Sequence, residues 1–151
     1  MAKPTTLPFS SFQVLLGDGA TPETFSAPCG FTKRSLKLSS QTSDTIVPDC
    51  DDPTIAAWTE RNVSSLSGQV SGNGVTAMGS LSTWRAWFLS GQTKNIRILF
   101  NLPGAQGGGY FQGGAVLTDW SHDADIKSEG GRTQQSVTLD NDGLWAWTDN
   151  P

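Results

Sequence analysis

Histidine is almost missing from this sequence. His122 is the only one in 151 residues, which removes the acid–base and metal chemistries that need two or more. Cysteine is scarce as well. Cys29 and Cys50 are too few for a disulfide scaffold and wrongly spaced for zinc. The opening MAKPTTLPFSSF holds no apolar signal core, so the expectation is a reducing compartment and free thiols. Charge is thin: 16% of residues are charged, with 10 Lys+Arg against 14 Asp+Glu and a net charge of -4. Such a chain offers no electrostatic footprint for sequence-independent nucleic-acid binding. No run approaches the roughly 18 apolar residues that a membrane-spanning helix needs.

What is plentiful is small and neutral. Ser (17), Thr (16) and Gly (17) together make 50 of the 151 residues, whereas Ala stands at 11. That balance is poor in helix formers and suits strands joined by tight turns. Six Trp and seven Phe offset a hydrophobic content of only 36%. The length predicts one domain, residues 1–151, since ~100–200 residues is the usual allotment.

Along the chain, residues 1–11 carry two prolines and read as an irregular N-terminal arm. Phe12, Val14 and Leu16 make a short strand turned by Gly17-Asp18-Gly19, and residues 20–30, with Pro22, Pro28 and Gly30, read as a loop. Phe31 to Ser39 alternates again, with a basic outer face. Between Leu38 and Glu60 stand five acids and no base, with Pro48 and Pro53 inside, so a long exposed loop near 40–60 is predicted, closing with a helical turn that Asp52 caps. Asn62 to Thr76 is the clearest period-two segment. Leu66, Gly68, Val70, Gly72 and Gly74 share one face, and Ser65, Ser67, Gln69, Ser71 and Asn73 share the other, which must turn to water. A helix is predicted over 80–91, with Ser80 as N-cap, Leu81, Trp84, Trp87 and Phe88 as apolar stripe, and Gly91 as C-cap. Strands follow at Lys94–Asn101 and Tyr110–Trp120, where Gly113-Gly114 suggests a bulge or a close backbone approach. An acidic turn at Asp123–Gly131 and a strand at Thr133–Leu139 come next. Asn141-Asp142-Gly143 then reads as a turn before Leu144–Trp147. The sum is about seven strands and one helix: a mainly β (α+β) chain.

No motif carries chemistry. Gly104 and Gly107–Gly109 lack the Gly-Lys-Ser/Thr of a phosphate loop and lead into a strand. Asp119, His122, Asp123 and Asp125 fit neither a calcium nor a zinc ligand pattern. Asp49, Asp51 and Asp52 lie in a proline-broken loop, which suits electrostatic docking better than paired-carboxylate hydrolysis, with Arg34, Lys37 and Arg61 as partners on a neighbouring copy. Trp84 and Trp87 read as core. Trp145 and Trp147 read as core or as an intersubunit anchor.

Asp52, then Trp58-Thr59-Glu60-Arg61 and the alternating SSLSGQVSGNG of 64–74, resemble the central segment of tail tube proteins. These are the major tail proteins of long non-contractile bacteriophage tails and of related gene transfer agents. Tyr110 to Thr118, Val137-Thr138-Leu139 and Asp142-Gly143 resemble that family's closing strands. The resemblance implies an inert structural virion protein without enzyme activity, cofactor or metal. It implies two packed antiparallel sheets, a sandwich or barrel with one flanking helix near 80–90, assembling into hexameric rings stacked into a hollow tube that conducts DNA. It further implies a tape-measure protein inside the tube, tail terminator and distal tail proteins at its ends, and assembly in the host bacterial cytoplasm. Lysine or arginine lining a duct would grip phosphates. The face Ser65, Ser67, Gln69, Ser71 and Asn73 is therefore expected to line the lumen, opposite Lys94–Asn101. Asp49, Asp51, Asp52, Trp58, Glu60 and Arg61, with the N-terminal arm, are expected at inter-ring or intersubunit contacts. A capsid decoration or baseplate accessory protein, and a carbohydrate-binding β-sandwich module, are the alternatives.

Overall fold

Period-two alternation builds the long strands, the one segment of helical period builds one helix, and the expected loop at 20–30 holds a two-residue strand, Phe25–Ser26, paired with Leu16 and Gly17. The structure is a computed structural model that describes residues 2–127 and 129–151. Met1 of the expected arm and Ser128 of the expected acidic turn lie outside the described residues. The strands are β1 (Phe12–Gly17), β2 (Phe25–Ser26), β3 (Phe31–Val47), β4 (Trp58–Val75), β5 (Lys94–Phe100), β6 (Gly109–Asp123) and β7 (Gln134–Asp149), with α1 (Met78–Ser90) between β4 and β5. All pairings are antiparallel, in the order β2-β1-β5-β6-β7-β4-β3.

The hydrogen bonds thus make one continuous ladder in place of two separate sheets. The ladder curls back on itself. Although β1 and β3 stand five places apart, the Arg34 guanidinium of β3 donates to the Phe9 carbonyl just ahead of β1 at 2.7 Å and lies 3.9 Å over the Phe9 ring. Curling lets the two halves of one sheet act as the facing layers of a sandwich, while β2 and β3 stay unpaired edges, so no barrel closes.

The core lies within the curl. Val14, Leu16, Ile96, Ile98, Ala115, Val70, Val137 and Leu139 come from five strands, and α1 adds Trp84 and Trp87, stacked at 5.8 Å. The helix ends as expected, at Gly91 in the left-handed region (φ 64°), whose N–H donates to the Trp87 carbonyl. Its start differs. Ala77 is the N-cap and no side chain caps it, because Ser80 sits inside the first turn and donates back to the Ala77 carbonyl.

Two further expected irregular segments are strand. The loop near 40–60 shrinks to residues 48–57, because Pro48 and Pro53 both fall between the strands and leave the ladder from Phe31↔Gly74 to Val47↔Trp58 free to form. Asp52 caps one turn of that loop, its carboxylate accepting the Thr54 N–H and its carbonyl the Ile55 N–H at 3.2 Å, but the turn does not continue into a helix. Likewise Asn141-Asp142-Gly143 lies inside β7. The register passes from Gln112↔Ala146 to Gly114↔Asp142, so Gly143, Leu144 and Trp145 face Gly113 alone. Gly143 supplies the positive φ (87°) that this bulge requires. The bulge expected at Gly113-Gly114 is therefore present, with most of its extra length on the partner strand.

The bulge aims Trp145 across the sheet, where its indole N–H donates to the Gly114 carbonyl at 2.8 Å and its ring covers Gly68 and Gly113. A Cβ at Gly68 would run into that pinned ring. Gly68→Ala is expected to cost about 1–3 kcal/mol as an overpacking change. The midpoint of denaturant unfolding checks it, and an unchanged midpoint would mean that Trp145 yields.

Candidate functional site

Cross-strand partners share a face, so the ladder itself sorts the side chains. Ser65 stands opposite Gln41, and Ser67 opposite Ser39, with their hydroxyls 2.8 Å apart. Gln69 stands between Lys37 and Asp140 and donates its amide to the Asp140 carboxylate at 3.0 Å. Ser71 lies between Ser35 and Thr138, and Asn73 between Lys33 and Ser136. The expected polar set is thus brought together, in the middle of a wider face of hydroxyls and amides spread over β3, β4 and β7. Ser65, Ser67, Gln69 and Asn73 are exposed, and Ser71 is half-buried. The cations of this face, Lys33 and Lys37, are offset by Asp140 and by Glu60 farther along β4. The other face of β4 is buried at Gly68, Val70, Gly72 and Gly74.

β5, expected opposite this face, belongs to the other half of the ladder. It lies three places from β4, and its outward residues include Leu99 and Arg97. The Arg97 guanidinium is held between the Phe25 and Tyr110 rings at 4.1 and 4.3 Å and donates twice to the Gln112 side-chain oxygen.

β4 pairs with β7 only from Gln69 onward. Beyond that point residues 38–47 and 58–68 form a two-stranded arm, about 30 Å long at the usual rise per residue. The expected contact residues sit on it. Trp58 opens β4 at 88% exposed, opposite Val47, and Glu60 faces Thr45. Arg61 pairs with Asp44 at 3.4 Å within the arm. Asp49 and Asp52 shape the tip. The Asp49 carboxylate accepts the N–H groups of Asp52 and Asp51, and Asp52 accepts the hydroxyl and N–H of Thr54, which holds both carboxyls below their usual range. Asp51 is exposed beside them. Arg34 is engaged by Phe9 of its own chain, through its backbone carbonyl and its ring.

Trp84 and Trp87 are buried, as expected. Trp145 is the half-buried wedge over Gly68, and Trp147 packs edge-on against Phe111 at 4.9 Å. Cys29 and Cys50 are exposed and free. Among the described residues no group of three His, Cys, Asp or Glu side chains is placed to hold a metal ion, and no helix is long and apolar enough to cross a membrane.

The sequence pattern does not reveal the apolar side of the arm. Leu38 and Leu66 continue the core-facing row past the body, but a register shift at Gln41/Thr42 breaks the period, so Val63 joins the same face out of step. That break is the available signal, and only the partner strand shows it.

A curled antiparallel sheet with one helix, a polar face and an apolar arm left open to solvent, with no cluster of catalytic groups among the described residues, defines the chain as a β-protein of structural type. The chain belongs to the phage tail tube protein family, whose model matches residues 7–145. Members of that family are structural, non-enzymatic virion proteins that form the tail tube. No curated protein sequence matches. Among solved structures, the tail of an empty gene transfer agent particle, refined with C6 symmetry, is similar in fold at TM-score 0.75 and 16% identity, covering 95% of this chain and 99% of that one. The SPP1 tail tube is similar at TM-score 0.67 and 10% identity, covering 96% and 81%. The tube–sheath complex of an extracellular contractile injection system matches at 0.62 and 17%, covering 95% and 92%.

Proposed function

We propose that copies of this chain close into rings of six, that the rings stack into a tail tube, and that the face of Ser65, Ser67, Gln69, Ser71 and Asn73 lines the duct through which DNA passes. The observation that carries the reading is the division of β4 into one small-polar face and one core-facing row. A duct has to release its cargo. Hydroxyls and amides with offset charges leave phosphates their counterions, whereas a row of unpaired cations would displace them and hold the DNA.

Ring closure also gives the free edge of β3 a partner. That strand runs 17 residues with one side unpaired, which in a lone subunit invites uncontrolled pairing. A head-to-tail contact that closes by rotation covers such an edge in every copy. The arm tip and the N-terminal arm are the parts proposed to reach the next ring or the neighbouring subunit. A tape-measure protein would fill the duct before DNA, terminator and distal tail proteins would close its ends, and assembly would take place in the host bacterial cytoplasm.

Electron microscopy of the purified protein at rising concentration tests the reading. The expected result is polymer tubes with a central channel. A persistent monomer would contradict it, and one that bound glycans would favour a carbohydrate-binding module instead.

A further inference from the structure

Where the arm leaves the body, Leu38 and Leu66 on the arm and Phe111, Leu144 and Trp145 on the body line a groove of about 660 Å³. Leu66 is 76% and Leu144 81% exposed, so the apolar row that forms the core simply runs out into solvent along the underside of the arm. A second apolar surface stands elsewhere on the chain. Met78, Arg85 and Leu89 fall at i, i+7 and i+11 of α1 and form one ridge, with Met78 90% and Leu89 76% exposed and half of Phe88 beside them. The first surface is concave and amphipathic, and the second is a convex helical ridge. Their net charges differ in sign: with Asp44 paired to Arg61 and Glu60 on the polar face, the arm keeps Asp49, Asp51 and Asp52 at its tip, whereas Arg85 is the only charged side chain of α1.

We infer that the underside of the arm, with the groove at Leu144, is the seat for helix α1 of a second copy of this chain. The inference rests on the tube reading for the identity of the partner and adds where that partner sits. A sheet face covered by a helix is a stable two-layer arrangement, and the seat would complete in the assembly the core that each subunit leaves open. The contact is heterologous, joining two different surfaces, so it propagates from copy to copy as a ring requires.

Cysteine cross-linking tests it. In a Cys29→Ser/Cys50→Ser background, Leu89→Cys and Leu144→Cys in the same chain are treated with a short bis-maleimide after polymerisation. A ladder of covalent multimers is expected, and the pair Leu89→Cys with Asn73→Cys, which uses the polar face away from the groove, is expected to give none. Met78→Glu/Leu89→Glu is expected to raise the concentration needed for polymerisation by about ten-fold or more, with the circular dichroism of the monomer unchanged, since both residues are exposed in the subunit. Tubes that form without the Leu89–Leu144 ladder, or that form equally well with the double Glu variant, would overturn the seat and leave the tube reading standing. Wild-type protein that forms no tubes at all would overturn both.

Discussion

Replacing Ser65 and Gln69 together by lysine is expected to leave the subunit folded and tubes assembled while lowering DNA delivery by about ten-fold or more. Both side chains are exposed and point away from the core, and surface changes of this kind usually shift stability by about 0.5 kcal/mol or less. The electrostatic effect is larger. Each lysine that neutralises a phosphate contributes a slope of roughly −0.9 in log K against log salt through counterion release. In a tube the substitution recurs in every subunit, so the cargo meets a ladder of cations along its whole path. The two positions are unequal. An ammonium introduced at position 69 would lie beside Asp140, the present hydrogen-bond partner of Gln69, and part of its charge would be neutralised there. One introduced at position 65 would face Gln41, which offers no counter-charge. Ser65→Lys is therefore expected to slow release more than Gln69→Lys. DNA ejection from particles carrying each variant, measured at low and high salt, checks this. Recovery at high salt is the expected signature, and failure to assemble would mean that the face is a subunit contact.

The second large effect is in the core. Trp84→Ala is expected to destabilise the subunit by about 3–5 kcal/mol, the usual range for removing a buried aromatic. A domain of this kind has only about 5–15 kcal/mol in total, so the variant loses a large share of its stability. Trp84 is fully buried, lies edge-on to Phe31 at 5.9 Å and shares a crevice with Val14 of β1 and Val70 of β4, so it ties the two halves of the curled sheet to the helix. Denaturant unfolding followed by fluorescence measures the loss. Trp58→Ala is the matched control. Trp58 is exposed at the end of the arm, so subunit stability is expected to change by about 0.5 kcal/mol or less. A Trp84→Ala midpoint within error of wild type would mean that the helix does not anchor the core.

Legibility in the sequence follows burial. Where one face of a strand is packed, as in Val14/Leu16, Ile96/Ile98 and Val70/Gly72, period two is strict and the strands are readable to within a few residues. The helix is readable from Trp84, Trp87 and Gly91. The arm is not, because neither of its faces is packed within the subunit and its apolar row changes step at the Gln41/Thr42 shift. Its two prolines lie in the tip, yet they look in sequence like interruptions of the whole segment. Asn141-Asp142-Gly143 has the chemistry of a turn, and the same positive-φ glycine serves a bulge when the partner strand runs past it, a fact that resides in β6. Of the proposed site, the polar face of β4 can be read directly. Its partners on β3 and β7, and the groove at Leu144, depend on which strands lie side by side.

A helical reconstruction of polymerised tubes tests the central claim most directly, because it gives the radial position of every β4 side chain. The prediction is that Ser65, Ser67, Gln69, Ser71 and Asn73 lie on the wall of the channel, with Leu66 and Val70 at larger radius. Finding the same five side chains on the outer surface of the tube, or buried between subunits, would contradict it.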